Sequence, residues 1–194
     1  MNNPSKIRIA LFIDGGNFYH KLKDLEIKNK SRFDYRKLAE WLARDRALVY
    51  TGYYVGVVRA KHDDTKAQKL RAGQVGLFNF LQSSRQCFVV RRGYLMHNDG
   101  KYHEKGVDVQ LAVDLLVGAY ENTYDTAIIL SSDTDLIPAI KKVKELGKSV
   151  EYIGFAHHPS IALQKHATLS RLLIKEEIEP FVFNPAYTEE DTKS

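Results

Sequence analysis

The chain has 194 residues, of which 44% are hydrophobic and 27% charged, and its formal net charge is +5 at pH 7. This composition suits one globular domain and excludes a largely disordered chain, a collagen-like repeat and a bundle of membrane spans. No apolar run approaches the roughly 20 residues that a membrane-spanning helix needs. The single cysteine, Cys87, cannot form an internal disulfide, so we expect a protein of the reducing cytoplasm.

The first half of the chain alternates between strand and helix patterns. Residues 7–13 form a continuous apolar run, which is typical of a strand buried on both faces. Residues 48–58 are rich in β-branched and aromatic side chains and predict a second strand. Helices are predicted over residues 17–26, 35–44 and 63–81, the second of them with Asp34 as its N-cap.

The second half continues the alternation. Residues 87–96, which include Cys87, predict a third strand, and the Asn-Asp-Gly turn at 98–100 predicts a hairpin over 94–103. Further along the chain we predict a helix over 107–120, a buried strand over 126–130, a helix over 136–146, a strand over 150–155 and a short helix capped by Ser160.

Strands that alternate with helices along the whole chain predict an α/β fold, a mostly parallel sheet with helices on both faces. The sequence contains no internal repeat, low-complexity tract or obvious linker. We therefore expect a single domain over residues 1–183 and a polar, frayed tail over residues 184–194.

Two acidic segments follow predicted strands. The segment DGGN (14–17) comes after the first strand, and SSDTD (131–135) comes after the strand at 126–130. Sites in open α/β sheets form beyond the carboxyl ends of the strands, so both segments are predicted to lie at one edge of the sheet. A single Asp in such a turn is often only a helix cap, but several carboxylates close together repel one another unless a cation compensates. Mg²⁺ prefers oxygen ligands of this kind.

A third acidic segment opens the helix predicted at 107–120. Asp108 lies in its first turn, where an acid is also favoured by the helix dipole alone. Asp114 lies six residues further on, which corresponds to a rise of about 9 Å and a rotation of about 600°. Both side chains cannot easily reach one metal ion. We expect Asp108 near the site and Asp114 in a supporting or structural role.

The three segments together resemble the NYN domain family, part of the PIN-like nuclease group, and most closely its bacterial LabA-like branch. The resemblance rests on FIDGGN, KGVDVQLAVDLL and LSSDTDLIPAI, in the family's order, and covers residues 7–155. Thr134 departs from the pattern, because small residues such as glycine are common at this position in the family. The resemblance implies a Rossmann-like, PIN-like fold and an acidic site formed by Asp14, Asp108, Asp133 and Asp135, with Asn17 and Ser132 as polar companions and Asp114 as a second acid of the middle motif.

The resemblance also implies a metal-dependent ribonuclease that hydrolyses RNA phosphodiester bonds with Mg²⁺ or Mn²⁺. One or two such ions would activate a water molecule for in-line attack without a covalent enzyme intermediate. Asp14 and Asp133 are the expected direct ligands. Asp108 and Asp135 would complete the ligand set directly or through water, and Asn17 and Ser132 would orient the water or the phosphate.

A polyanionic substrate requires basic side chains around an acidic site. The candidates for RNA binding are Arg59, Lys61, Lys66, Lys69, Arg71, Arg91 and Arg92, with Lys105 in a supporting place beside Asp108. Tyr19, Tyr53 and Tyr54 are candidates for stacking on unpaired bases. The alternative for the basic residues is a solvated helix face, and the alternative for the strand tyrosines is the core of the sheet.

Other functions fit the sequence less well. A non-catalytic RNA-binding or regulatory scaffold with the same fold is the main alternative, and a homodimer is possible in either case. A phosphatase of the HAD type needs an acid where Gly16 stands, and the Gly-Lys-Ser/Thr of a phosphate-binding loop is absent. A zinc site is disfavoured because the spacing of His97, His103, His157, His158 and His166 is poor for ligands.

Overall fold

One seven-stranded sheet organises the described part of the chain. The structure, a computed structural model, describes residues 6–27, 33–57, 64–98 and 101–182, with the backbone only at 94–98 and 101–105. The strands are β1 (Arg8–Asp14), β2 (Ala47–Val57), β3 (Val89–Asn98), β4 (Lys101–Lys105), β5 (Thr126–Leu130), β6 (Ser149–Phe155) and β7 (Leu169–Leu173).

The strand order is β4-β3-β2-β1-β5-β6-β7, and all neighbours are parallel except β3 and β4, which form an antiparallel hairpin. From β1 the chain first builds the sheet outward through β2 and β3, and it later returns to the other side of β1 to add β5, β6 and β7. The direction of building reverses between β1 and β5. In doubly wound sheets, ligands bind beyond the carboxyl ends of the two strands at this reversal.

Helices cover both faces of the sheet, as the sequence predicts. They are α1 (Gly15–Asp24), α2 (Tyr35–Ala43), α3 (Thr65–Gln82), α4 (Val107–Tyr120), α5 (Ile137–Glu145), α6 (Ile161–His166) and α7 (Lys175–Ile178). Helices α1, α2, α3 and α7 pack on one face, and α4, α5 and α6 pack on the other. Short 3-10 turns lie at Thr134–Leu136 and Glu179–Phe181.

The central strand β1 is buried on both faces because its side chains alternate between two cores. Ile9, Leu11 and Ile13 pack under α1 and α2, whereas Ala10 and Phe12 pack under α4. Burying one large apolar side chain contributes about 1.5–3 kcal/mol. This two-sided burial explains the unbroken apolar run in the sequence and holds the end of β1 in a fixed position.

The predicted α/β fold is confirmed, and α4 and β5 have the predicted bounds. Helix α1 begins two residues earlier than expected, because Asp14 at the end of β1 is itself the helix cap. Strand β7 and helix α7 were not predicted. The predicted tail, residues 184–194, lies outside the described residues. Across the described ranges, no helix combines the length and apolar character needed to cross a membrane.

The placement of Cys87 in the third strand is wrong. Strand β3 begins at Val89, and Cys87 lies before it with a φ of 57° and an exposed thiol. A positive φ is incompatible with a strand, and here it turns the Cys87 carbonyl towards Thr51, whose hydroxyl donates to it at 2.7 Å. The apolar residues that follow Cys87 therefore enter the sheet two positions later than the sequence pattern suggests.

Candidate metal centre at the carboxyl edge of the sheet

The two strands at the reversal bring the first and last acidic segments together. Ile13 of β1 is paired with Leu130 of β5, so Asp14 and Ser131 follow at the same level. The Ser131 hydroxyl donates to Asp14 Oδ2 at 2.9 Å and accepts the backbone N–H of Asp133 at 3.1 Å. The strand register places the turn after β1 next to the turn after β5, and these hydrogen bonds connect the two turns.

Asp14 caps helix α1. Its Oδ1 accepts the backbone N–H of Asn17 at 3.0 Å, and its side chain is largely removed from solvent. Burial raises the pKa of the Asp14 carboxyl above its ordinary value, and the negative charge of Asp133 adds to the rise. The hydrogen bonds from Asn17 and Ser131 act in the opposite direction. Both oxygens of Asp14 therefore already have hydrogen-bond donors.

A second link joins the same two turns. The amide Nδ2 of Asn17 donates to Ser132 Oγ at 2.7 Å, and this hydroxyl lies 3.0 Å from Asn17 Oδ1. The two side chains come from segments 115 positions apart in sequence. Their pairing holds the start of α1 against the turn that carries Asp133 and Asp135.

Three carboxylates meet at this edge. Asp108, Asp133 and Asp135 each offer one oxygen, and these oxygens lie within 4.8 Å of one another. Asp133 caps the 3-10 turn by accepting the backbone N–H of Asp135 at 2.9 Å, which aims the two side chains together. Asp108 lies in the first turn of α4, directly after the N-cap Gly106, whose φ of 83° turns the chain into the helix. Two local features, the Asp133 cap and the Gly106 turn, bring these side chains together.

The donor set fits a hard divalent cation. All three groups are carboxylates, Asp108 and Asp135 are exposed, and no histidine or cysteine belongs to the cluster. Among the side chains that the structure describes, no arginine, lysine or histidine forms an ion pair with any of them. Like charges at about 4 Å repel by about 1 kcal/mol even in bulk water. Carboxylates are the usual protein ligands of Mg²⁺ and Mn²⁺, and solvent-exposed ones leave room for the water molecules that Mg²⁺ retains.

Asp14 and Asp114 are not part of this group of three. The role of Asp14 as a metal ligand therefore stays a prediction. Asp114 accepts from Tyr54 Oη and from Arg91 Nε, each at 2.9 Å, and from Gln110 Nε2 at 2.7 Å. It lies further along α4 than Asp108, and its supporting or structural role stays a prediction.

The predicted RNA contacts stay predictions, and the structure describes only some of the residues concerned. Lys66, Lys69 and Arg71 are exposed on α3, and the guanidinium of Arg92 lies 4.8 Å from the centre of the Phe78 ring. Because α3 follows the carboxyl end of β2, its first turn lies towards the same edge as the acidic group. Arg59 and Lys61 lie outside the described residues, as does the side chain of Lys105.

The stacking role expected of Tyr53 and Tyr54 is wrong. Both side chains are at least 98% buried, because β2 is an inner strand covered on both faces. Tyr53 packs on the α1 side and Tyr54 on the α4 side. Tyr19 on α1 is 52% exposed and remains available for a base.

Two basic residues beside the site were not predicted. Lys21 and His158 line a small hollow together with Asn17 and Ser132, and Lys21 Nζ donates to the His158 carbonyl at 3.4 Å. Lys21 lies four positions after Asn17, one helical turn along α1, so helical spacing alone could have identified it. His158 follows β6, the strand next to β5, and only the sheet order places it here.

Two known proteins resemble this chain. The uncharacterized protein MJ0482 of Methanocaldococcus jannaschii is 29% identical over 160 residues, an alignment that covers 82% of this chain and 52% of that protein. The chain thus spans about half the length of this curated relative. The crystal structure of VPA0982 from Vibrio parahaemolyticus, a protein of unknown function, matches with a TM-score of 0.63 at 19% identity and covers 94% of this chain and 100% of that one.

The likeness to VPA0982 concerns the fold alone, and it agrees with a PIN-like α/β sheet. The narrower resemblance to the LabA-like branch stays a prediction. Residues 8–172 match the NYN domain, a span that includes all the acidic segments of the candidate site. The chain belongs to the NYN domain family.

Proposed function

We propose that this protein is a metal-dependent ribonuclease that hydrolyses RNA phosphodiester bonds with Mg²⁺ or Mn²⁺. The observation that carries the proposal is the group of three carboxylates from two separate segments, whose oxygens lie within 4.8 Å of one another. Helix caps alone do not require three acids at one point, and their mutual repulsion favours a bound cation. The family has a nuclease-type fold, which agrees with this chemistry.

The residues of the site have separate tasks in this proposal. Asp108, Asp133 and Asp135 hold the ion. A divalent ion in such a site lowers the pKa of bound water and neutralises charge on the phosphate. Asn17 and Ser132, which are only partly buried beside the acids, present an amide and a hydroxyl that orient the water or the scissile phosphate. Asp14 positions Asn17 and Ser131 through its two hydrogen-bonded oxygens.

RNA is the proposed substrate because basic side chains lie around the acids. Lys21 and His158 border the site on the α1 side, and exposed Lys66 and Lys69 lie on α3. A polyanion needs such groups to approach carboxylates. The lone exposed Cys87 agrees with a reducing cytoplasm, which is the location that we propose.

The test is a cleavage assay on single-stranded and structured RNA with Mg²⁺ or Mn²⁺ and with chelator. Asp133→Asn and Asp135→Asn should each reduce cleavage by about 10²-fold or more, the scale seen when a group that stabilises transition-state charge is lost. Asp45→Asn is the matched control, because Asp45 is an exposed acid just before β2, at the opposite edge of the sheet.

The outcomes separate the proposed functions. Cleavage by Asp45→Asn but not by the site variants supports the nuclease. Wild-type protein that binds RNA without cutting it, with either metal, would instead identify a non-catalytic RNA-binding scaffold. Equal cleavage of DNA would broaden the substrate to nucleic acids in general.

A further inference from the structure

Helix α4 is apolar on the side that faces solvent as well as on the side that packs against the sheet. Its outer side carries four exposed apolar side chains, spaced four, four and three residues apart: Val109, Val113, Val117 and Tyr120. This spacing puts them in one stripe along the helix. A helix that is apolar all round is usually buried, so the stripe suits contact with another protein.

Two strands extend the stripe on the same face of the sheet. Val49 of β2 lines a cavity together with Val117. Val89 of β3 lies two positions before Arg91, which bonds Asp114 of α4, so Val89 points to the α4 face as well. These two valines and the stripe are 40–61% exposed. Their exposed area is on the order of 500 Å², which matches the apolar share, about 65%, of the roughly 800 Å² that each partner contributes to a standard homodimer interface.

Helix α5 packs beside α4 and has opposite charges towards its two ends. The turn 133–135, with its two aspartates, leads into α5, and Lys141 and Lys142 are exposed on its second half. Lys142 lies beside Tyr120 of α4. The hydrogen bond to Glu145 raises the pKa of the Lys142 ammonium, and the phenol of Tyr120 adds to the rise. The apolar stripe is therefore flanked by a negative region near one end and a positive region near the other.

The stripe is complementary to its own copy when two α4 helices pack antiparallel. A two-fold axis near position 115 sets Val113 opposite Val117 of the other copy, and Val109 opposite Tyr120. Each side chain of the stripe then has an apolar partner. A two-fold interface uses the same surface patch on both copies, and helices pack along such rows of side chains spaced four apart.

The same arrangement makes the charges complementary. Because Tyr120 and Lys142 are neighbours and both helices rise about 1.5 Å per residue, the centre of the stripe is level with about position 137 of α5. Lys141 then faces the turn 133–135 of the other copy. A parallel pairing would instead bring the lysines of α5 to the β3 side, where the exposed Arg91 repels them. The charges thus favour the antiparallel pair.

We propose that α4 forms the interface of a two-fold symmetric homodimer in which the two α4 helices pack antiparallel. The lysines on α5 of each copy lie against the turn 133–135 of the other copy. The dimer thereby adds basic side chains to the surroundings of each acidic group, where they favour the approach of a polyanion. The dimer itself does not depend on the proposed function.

The first test measures the dissociation constant of the dimer by sedimentation velocity, with circular dichroism to check folding. We expect Val113→Glu to raise this constant about 100-fold or more, because each copy would lose the hydration of a carboxylate in an apolar interface. Val75→Glu is the matched control. Val75 is 48% exposed, against 46% for Val113, and it lies on α3, which packs on the other face of the sheet.

A second test examines the antiparallel register. Val117→Lys alone should also dissociate the dimer. The double variant Val113→Glu/Val117→Lys should restore it, because each new glutamate then lies opposite a new lysine of the other copy. In a parallel pair the two glutamates would face each other, and the two lysines as well, so the double variant would stay monomeric.

A third test concerns the charges beside the stripe. Lys141→Glu should raise the dissociation constant about tenfold or more, because it sets like charges against the turn 133–135 of the other copy. Lys37→Glu is the control, because Lys37 is an exposed lysine of α2, on the opposite face of the sheet. Added salt should weaken the wild-type dimer and leave the Lys141→Glu variant less affected.

Three results would each overturn the dimer: a wild type that stays monomeric at every concentration, a Val113→Glu variant that still dimerises, or an equal loss in Val75→Glu. If Val113→Glu does not fold, Val109→Glu takes its place, because Val109 is 61% exposed. A monomeric double variant would overturn the antiparallel register. No cleavage is measured, so the dimer and the nuclease proposal can fail separately.

Discussion

Asn17 and Ser132 join the two turns that carry the acidic site, through a hydrogen bond of 2.7 Å between Asn17 Nδ2 and Ser132 Oγ. One residue lies at the start of α1 and the other after β5, so this contact crosses the reversal between β1 and β5. The pair does not belong to the group of three carboxylates. Its geometric effect is to hold the start of α1 against the segment that contains Asp133 and Asp135.

Removing the side chain of either Asn17 or Ser132 should therefore break the same contact and have a similar effect on cleavage. We expect Asn17→Ala and Ser132→Ala each to reduce RNA cleavage, and the double variant to lose less than the product of the single losses. A coupling free energy of about 1 kcal/mol is typical of side chains in direct contact. The measurement is a double-mutant cycle on cleavage rate and on the free energy of unfolding. Losses that simply multiply would show that the contact does not act as a unit.

The group of three carboxylates should destabilise the metal-free protein. We expect Asp135→Asn to raise the melting temperature in chelator, because it removes one of three like charges that lie within 4.8 Å of one another. Added Mn²⁺ should stabilise the wild type and leave this variant nearly unchanged, since a ligand stabilises only the state that binds it. Differential scanning calorimetry with and without Mn²⁺ measures both effects.

Asp114→Asn is the informative comparison for this experiment. Asp114 lies on the same helix as Asp108 but bonds Tyr54, Arg91 and Gln110 instead. This variant should melt at a lower temperature, because those donors lose a charged acceptor, and it should keep the full Mn²⁺-induced increase. A wild-type melting temperature that does not respond to Mn²⁺ or Mg²⁺ would contradict a metal centre.

The sequence predicts most of this fold because its strongest patterns come from burial. Residues 9–13 of β1 form an unbroken apolar run because the strand is covered on both faces. The rule for parallel sheets then places the acidic end of β1 beside that of β5. Tyr53 and Tyr54 were harder to place. Aromatic residues suit both a base-stacking surface and a core, and only the position of β2 inside the sheet decides between them.

The sequence predicts that the acids lie at one edge of the sheet, but it does not show how closely each approaches the others, for a similar reason. Which carboxylates converge depends on local turns: Asp133 caps the turn that orients Asp135, whereas Asp14 is drawn inward by the hydroxyl of Ser131. These hydrogen bonds depend on how the strands are paired in the sheet, and the pattern of residues along the sequence does not show that pairing. Strand β7 was missed because most of its side chains are exposed or only partly buried, which leaves a weak apolar signal.

The glycine after Asp14 has a packing role that is open to test. A Cβ at Gly15 would lie 2.3 Å from Cε1 of Tyr53, whose ring is buried against α1. We expect Gly15→Ala to destabilise the protein by about 1–3 kcal/mol, the usual cost of overpacking. Chemical denaturation measures this change in the free energy of unfolding.

Gly76 is the opposite case and the control for Gly15. It lies inside α3, and a Cβ there would meet no atom within 4 Å among the described residues. Gly76→Ala should stabilise the protein by about 0.5–1 kcal/mol through higher helix propensity. If both substitutions changed stability in the same direction, the close approach of Gly15 to Tyr53 would not be the cause.

A charge pair at the amino edge of the sheet makes stability depend on pH. The Arg8 guanidinium and the Arg8 backbone N–H donate to Asp125, and these bonds lower the pKa of the Asp125 carboxyl from 3.8 to about 2. A carboxyl whose pKa is lower in the folded state stabilises the fold fully above its unfolded-state pKa. This contribution is lost as the pH falls through the folded-state value.

Asp125→Asn should therefore melt below the wild type at pH 7, and the two melting temperatures should converge as the pH falls from 3.8 towards about 2. Arg8→Gln should lose the same pH-dependent contribution, but part of its melting-temperature difference should persist at low pH, because the Arg8 guanidinium also donates to Asn122. Both side chains of the pair are more than one-third exposed, so added salt should also reduce the difference. A melting-temperature difference that stays constant from pH 7 to the acid limit would mean that the pair does not link β1 to β5 energetically.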